Sequence, residues 1–293
     1  MTDTSLASLA DLSSAISALS ARFAHSIVSV HSRRSRSSGF VWRPGLIVTA
    51  DEALPEEKEF EIASPANVAA ANVVGRDPST DVALLRVDGP DLTPVALASP
   101  AVGAGHVAIT LGAEEGDSIV ALGVIARASG PWRSLRGGHI DARIELDLRL
   151  QPNAQGGLAF NASAEPLGMV VFGARHRVLV IPSATIERAA AMLADYGYIP
   201  RGYLGLGLQP VTVEGDEGRG AMVMSVDPKG PGHAAGIQQG DVLMTWNDAS
   251  LRDVRSLLQA LGPDGIGKEV TFGLRRGGET RQVRLTIGQR ASD

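Results

Sequence analysis

The sequence predicts a mainly β protein made of two successive β-rich units and preceded by one helix. Three observations predict it. Short apolar runs recur between turn clusters from residue 27 to residue 288. Of 293 residues 34 are Gly and 16 Pro, which suits many strands joined by tight turns. Hydrophobic residues make up 44% against 20% charged, enough to bury real cores.

The helix comes first. Leu6, Leu9, Leu12, Ile16, Leu19 and Phe23 recur every three or four residues, which lines them along one face. Such a stripe suits a helix packed on its own domain, and equally a self-association seam. It defines an N-terminal helical segment over residues 1–25. From Ile27 the runs are shorter: Ile27–Val30, Phe40–Trp42, Leu46–Val48, Val82–Leu85, Val107–Leu111, Ile119–Ile125, Ile140–Leu146 and Met169–Phe172. Turn clusters such as Arg43-Pro44-Gly45, Asp77-Pro78-Ser79 and Arg136-Gly137-Gly138 separate them, pointing to an antiparallel barrel or sandwich rather than to βαβ units. Ser183 reads as the N-cap of a helix to Tyr196, ended by Gly197. This unit is expected over 26–197. A second runs over 201–290, with strands at Ala221–Val226, Val270–Arg275 and Arg281–Ile287, a Gly277-Gly278 hairpin turn, and an amphipathic helix over Leu251–Leu261.

Composition excludes several functions. A net charge of −5 argues against a nucleic-acid binder, whose affinity rests on a basic surface. The one basic stretch, Arg33 to Arg36, has no interleaved aromatics and reads as a solvated loop. With no Cys there is no thiol nucleophile and no disulfide. The six histidines (His25, His31, His106, His139, His176 and His233) have no metal-ligand spacing, so neither metal nor cofactor is expected. No run approaches the roughly 18 apolar residues of a membrane span. The start carries Asp3 and Asp11 and no basic n-region, so a secretory leader is not indicated and a cytoplasmic location is expected.

Particular motifs resemble one family. Arg201-Gly202-Tyr203-Leu204-Gly205 is similar to a PDZ carboxylate-binding loop, and Gly236-Ile237-Gln238-Gln239-Gly240-Asp241-Val242-Leu243 to the PDZ stretch that follows it. Upstream, Ser38-Gly39-Phe40-Val41 with Ile47-Val48-Thr49, the segment Asp77–Leu85, Asp147 with Gly156-Gly157, and Ile181-Pro182-Ser183 resemble landmarks of a trypsin-like protease. Order and motifs together resemble the HtrA/Deg family. The resemblance implies a chymotrypsin-like double β-barrel followed by a PDZ domain, and a serine endopeptidase ancestry.

The resemblance breaks at the catalytic positions. Thr49-Ala50-Asp51-Glu52-Ala53 stands where the family has T-N-x-H-V, which puts Glu52 in the histidine's place. Asn153-Ala154-Gln155-Gly156-Gly157 stands for G-N-S-G-G, which puts Gln155 in the serine's place and Asn153 at an oxyanion-hole glycine. Only Asp81 remains. Serine hydrolysis needs an oxygen nucleophile and a base to activate it; an amide supplies no nucleophile, and Glu52 has no hydroxyl to activate. Glu52 beside Asp81 also implies like-charge repulsion that raises one of their pKa values. Asp51 and Glu52, as neighbours in the chain, are expected to point apart.

What remains able to act is the PDZ groove. Strand addition of a peptide would use backbone donors at Leu204, Gly205 and Leu206 beside Tyr203, with Val254, Leu257 and Leu258 around the last apolar side chain of the ligand. Three readings follow. The first is a pseudoprotease that binds peptides or protein C-termini, as a regulatory or scaffolding subunit, in a homo-oligomer (a trimer, by the resemblance) or with active relatives. The second is an active serine endopeptidase in protein quality control. The third is a purely structural subunit.

Overall fold

The computed structural model describes residues 3–89, 92–213, 219–251, 254, 257 and 261–289. It divides into two units, Met1–Ile199 and Pro200–Asp293.

The first unit opens with helix α1 (Asp3–Phe23) and contains two closed six-stranded antiparallel barrels. Strands β1 (Ile27–His31), β2 (Arg36–Arg43), β3 (Leu46–Thr49), β4 (Glu59–Ala63), β5 (Val68–Asp77) and β6 (Val82–Val87) form the first, in the order β1-β2-β3-β6-β5-β4. The second uses β7 (Val107–Glu114) and β8 (Asp117–Ser129) and, beyond a small ribbon of β9 (Trp132–Arg133) and β10 (His139–Ile140), β11 (Arg143–Asp147), β12 (Leu158–Asn161), β13 (Pro166–Phe172) and β14 (Val178–Pro182). Helix α2 (Ser183–Tyr196) ends the unit and stops at Gly197, whose φ of 76° is the left-handed turn glycine favours. Ser183 is not the N-cap that the sequence suggests. It is the first helical residue, and its hydroxyl turns to the Pro166 carbonyl, while Pro182 holds the extended cap position.

Why the apolar runs are unbroken follows from burial on both faces of the strands. Val41, Ala83 and Leu85 fill the interior of the first barrel, and Ala159 and Val170 that of the second. Their chain neighbours Phe40, Leu84, Leu158, Phe160 and Met169 pack on the other side, in the core that joins both barrels to α1 and α2. Register continues that outer face past the buried strands: Phe160, Ile109 and Leu122 form one cross-strand row, and Leu158, Leu111 and Val120 the next. The rows are buried at β12 and β7, but at β8 Leu122 is 47% and Val120 38% exposed.

The second unit has a short pair, β15 (Gly202–Tyr203) with β22 (Gly288–Gln289), and a sheet ordered β16 (Leu206–Thr212), β17 (Arg219–Val226), β18 (Val242–Trp246), β20 (Glu269–Arg276), β21 (Glu279–Thr286), with β19 (Ala249–Ser250) paired to β18. A single turn of helix, α3 (Pro231–Ala234), lies between β17 and β18. Leu204, Val223, Leu243, Leu257, Phe272 and Leu285 make its core, with Trp246 edge-on to Phe272. Buried Asp241 is paired with Arg276 and accepts the Gln238 N–H. Burial alone would raise its pKa, but these donors hold it below the usual carboxylate range. Of the expected Leu251–Leu261 helix, Val254 and Leu257 are helical; Leu258 lies outside the described residues.

Candidate functional site

In the first unit the site begins with the turn between β5 and β6. The buried Asp77 carboxylate accepts bonds from the Ser79 N–H and from the Ser79 and Thr80 hydroxyls, which fixes the turn that ends at Asp81. Asp81 has a φ of 60°, in the left-handed region. Its Oδ1 accepts the backbone N–H of Glu52 at 2.7 Å, so residues 29 apart in the chain meet. Glu52 sits in a 3-10 turn, Asp51–Ala53, directly after β3. Arg76 of β5 braces that turn: it pairs with Asp51 and donates to the carbonyls of Asp51, Leu54 and Pro55. Asp51 and Glu52 point apart. The former is buried on Arg76, and the latter reaches Arg136 at 3.3 Å in the loop between β9 and β10. Ser134 ties that loop to the Ser79 carbonyl at 2.6 Å.

Asp81 has its pKa pushed up to about 7. Burial is the main cause, opposed by the Glu52 N–H; the carboxylates of Glu52 and Asp51 add smaller upward pushes. Like-charge repulsion therefore contributes, but desolvation dominates. Asp81 and Glu52 face a cleft of about 910 Å³ whose lining includes Trp132, Arg136, Phe172 and His176.

Gln155 is not among the residues lining that cleft. It follows a 3-10 turn, Pro152–Ala154, and its own N–H closes onto the Pro152 carbonyl at 3.3 Å. Asn153 lies in the turn, and its carbonyl accepts the Ser38 hydroxyl at 2.7 Å. The next residue, Gly156, has a φ of 89°, and a Cβ there would meet the Ser38 carbonyl at 2.1 Å. Only glycine fits this approach. Of the histidines, His25, His106, His139, His176 and His233 are exposed and His31 half-buried; only His176 borders the cleft, edge-on to Phe172. Among the described residues no cluster of His, Asp or Glu could hold a metal ion. The basic stretch forms a tight turn around the Ser32 hydroxyl, and Arg36 pairs with exposed Glu115 at 2.8 Å.

The second unit holds the residues expected to form a peptide groove. Strand β16 is the end strand of its sheet, so its far edge has no paired neighbour among the described strands. In the loop that leads into it, the Leu204 carbonyl accepts the Gly232 N–H at 2.7 Å and the Gly205 carbonyl the Asp227 N–H at 2.8 Å. A trans peptide unit points its C=O and the following N–H in opposite directions. The Gly205 and Leu206 N–H groups are therefore turned away from the 227–232 segment. Gly205 takes a φ of 71°, and a Cβ there would meet Gly230 Cα at 2.8 Å. Successive outward N–H groups around a left-handed residue make an anion-binding concavity. Val254 is half-buried beside the core, whereas Leu257 is only 2% exposed and belongs to it. Sequence reasoning missed Arg76, Arg136 and Asp227, each of which acts on a site residue through a loop closed only in the tertiary fold.

Two barrels of trypsin-like topology followed by a PDZ-type sheet define the class, and comparison with known proteins agrees. Residues 37–169 match the trypsin-like peptidase domain family and residues 202–287 the PDZ domain family. The chain is similar to the probable periplasmic serine endoproteases DegP-like of Halomonas elongata and of Rhizobium meliloti. It is 29% identical to the first over 272 residues (87% of this chain, 57% of the relative) and 29% identical to the second over 277 residues (89% and 54%). It thus spans about half the length of the curated relatives it matches. The solved structure of HtrA-type protease AlgW with a decapeptide covers 95% of this chain and 99% of its own, with a TM-score of 0.72 at 19% identity, a likeness of fold.

The chain belongs to the HtrA/Deg family. The expected cytoplasmic location is overturned by these relatives, which are named as periplasmic. A cleavable leader takes no part in a folded core, so neither barrel nor sheet encodes the compartment.

Proposed function

We propose that this protein is a pseudoprotease of the HtrA/Deg family that binds peptides or protein C-termini through its PDZ domain without hydrolysing them. The observation that carries the reading is Gln155. The position aligned with the nucleophile has no hydroxyl, and its N–H, one of two donors that would stabilise a tetrahedral oxyanion, is engaged by the Pro152 carbonyl. Glu52 in the histidine's place, paired with Arg136 and donating only its backbone N–H to Asp81, supports the same reading. In the PDZ domain the open edge of β16 and the outward N–H groups of Gly205 and Leu206 suit strand addition of a peptide ending in a free carboxylate, with Tyr203 and Leu204 in the same loop and Val254 and Leu257 on the helix expected beside it.

We extend the proposal to self-association, as a trimer or with active relatives. Its support is the row of Val120, Leu122 and Val124 exposed on β8, with Leu9 and Leu12 exposed on α1.

The test is degradation of unfolded casein by purified protein beside a Glu52→His/Gln155→Ser variant. An inert wild type is expected, and any cleavage gained by the variant supports the alignment. Reproducible cleavage by wild type would instead favour the endoprotease activity in the relatives' names.

A further inference from the structure

The loop over residues 203–206 is bonded to a second segment, residues 227–232. Asp227, at the end of β17, is the hub. Its N–H donates to the Gly205 carbonyl and its own carbonyl accepts the Gly230 N–H at 2.9 Å. Its carboxylate accepts the Tyr203 hydroxyl at 2.7 Å through Oδ2 and the Lys229 N–H at 2.9 Å through Oδ1. Tyr203 is anchored in turn by the β15–β22 pair, opposite Gly288. The chain before the loop and the turn behind it are thus joined through one carboxylate. The Tyr203 hydroxyl, then the Lys229 N–H, keep that carboxylate below the usual range, so it is ionised and a strong acceptor at neutral pH.

Resting on the peptide-binding reading above, we propose that Tyr203 and Asp227 are positioning residues for the terminal carboxylate of the ligand. By clamping the 227–230 turn against the loop, they keep the carbonyls of Leu204 and Gly205 occupied and the N–H groups of Gly205 and Leu206 aimed outward. Neither side chain touches the ligand in this scheme. A preset loop binds the carboxylate without first losing conformational freedom.

The clamp is specific to a free carboxylate, so its signature is a ratio. Binding of the full chain to a decapeptide ending in valine is measured by fluorescence anisotropy, with the C-terminus free and amidated, for wild type, Tyr203→Phe, Asp227→Ala and Asp227→Asn. Wild type is expected to prefer the free acid. Tyr203→Phe should cut free-acid affinity by about fivefold, the usual effect of one hydrogen bond. Asp227→Ala should cut it further, and Asp227→Asn, which keeps one acceptor, less than Ala; amide affinity should fall less in each variant, so that the ratio of acid to amide affinity drops. An equal loss for both peptides, or an unchanged ratio in Tyr203→Phe and Asp227→Ala, overturns the positioning role. A wild type that binds neither peptide overturns the peptide-binding reading itself, whatever the variants do. Thermal melting of each variant separates lost clamping from lost fold.

Discussion

Asp81 combines a left-handed backbone with a carboxyl held near pH 7, and both have energetic consequences. In the unfolded chain an Asp ionises near pH 4. Between about 4 and 7 the folded state keeps a proton that the unfolded state has released, so stability falls as pH rises through that window. Asp81→Asn removes the cost, still accepts the Glu52 N–H, and tolerates the positive φ. It should raise the melting temperature at pH 8 by on the order of a few degrees and leave it unchanged at pH 4. Equal shifts at both pH values would remove the ionisation argument. The residue types at this site were legible in the sequence, because Glu52, Asp81 and Gln155 stand inside recognisable motifs. Arg76 and Arg136 were not legible, since their partners are 25 and 84 residues away and no local pattern marks an arginine that will close a loop.

At the scale of elements, α1 shows how much a pattern says and where it stops. Its 3–4 spacing predicted a helix with one apolar face, and the helix spans Asp3–Phe23. Spacing did not reveal how burial divides along the stripe from Leu9 to Phe23. Leu19 and Phe23 are buried, with Phe23 4.5 Å from the Phe160 ring, while Leu9 is 63% and Leu12 43% exposed. Phe23→Ala should therefore cost about 3 kcal/mol in urea unfolding, and Leu12→Ala under about 0.5. A loss at Leu12 as large as at Phe23 would mean that the outer half is covered in solution. The 3-10 turn Pro152–Ala154 makes the complementary point. Its sequence marks a departure from a glycine-rich motif, but that the Gln155 N–H meets the Pro152 carbonyl while the Gln155 carbonyl accepts the Ser38 N–H is visible only in the fold.

For the whole molecule, the exposed continuation of a buried sheet face onto β8 is the feature most in need of a partner. If copies of the chain associate through it, wild-type protein in light scattering should exceed the 30.5 kDa monomer, and Leu122→Glu should return it to that mass. A wild type that is already monomeric would discard this surface as an interface. The architecture is written in the chain: doubly buried strands give unbroken apolar runs, turns need Gly, Pro and Asp, and motif order separates a barrel unit from a PDZ unit. The sequence also shows which residue types stand where the resemblance aligns the catalytic positions, since side-chain chemistry needs no coordinates. The tertiary structure alone decided what those atoms meet: Glu52 with Arg136, Gln155 turned onto Pro152, Asp227 behind the carboxylate loop, and β8 left uncovered. The physical reason is range, because sequence patterns report a residue's own helix or strand, whereas burial, ion pairs and loop closure join groups that only the folded chain brings together.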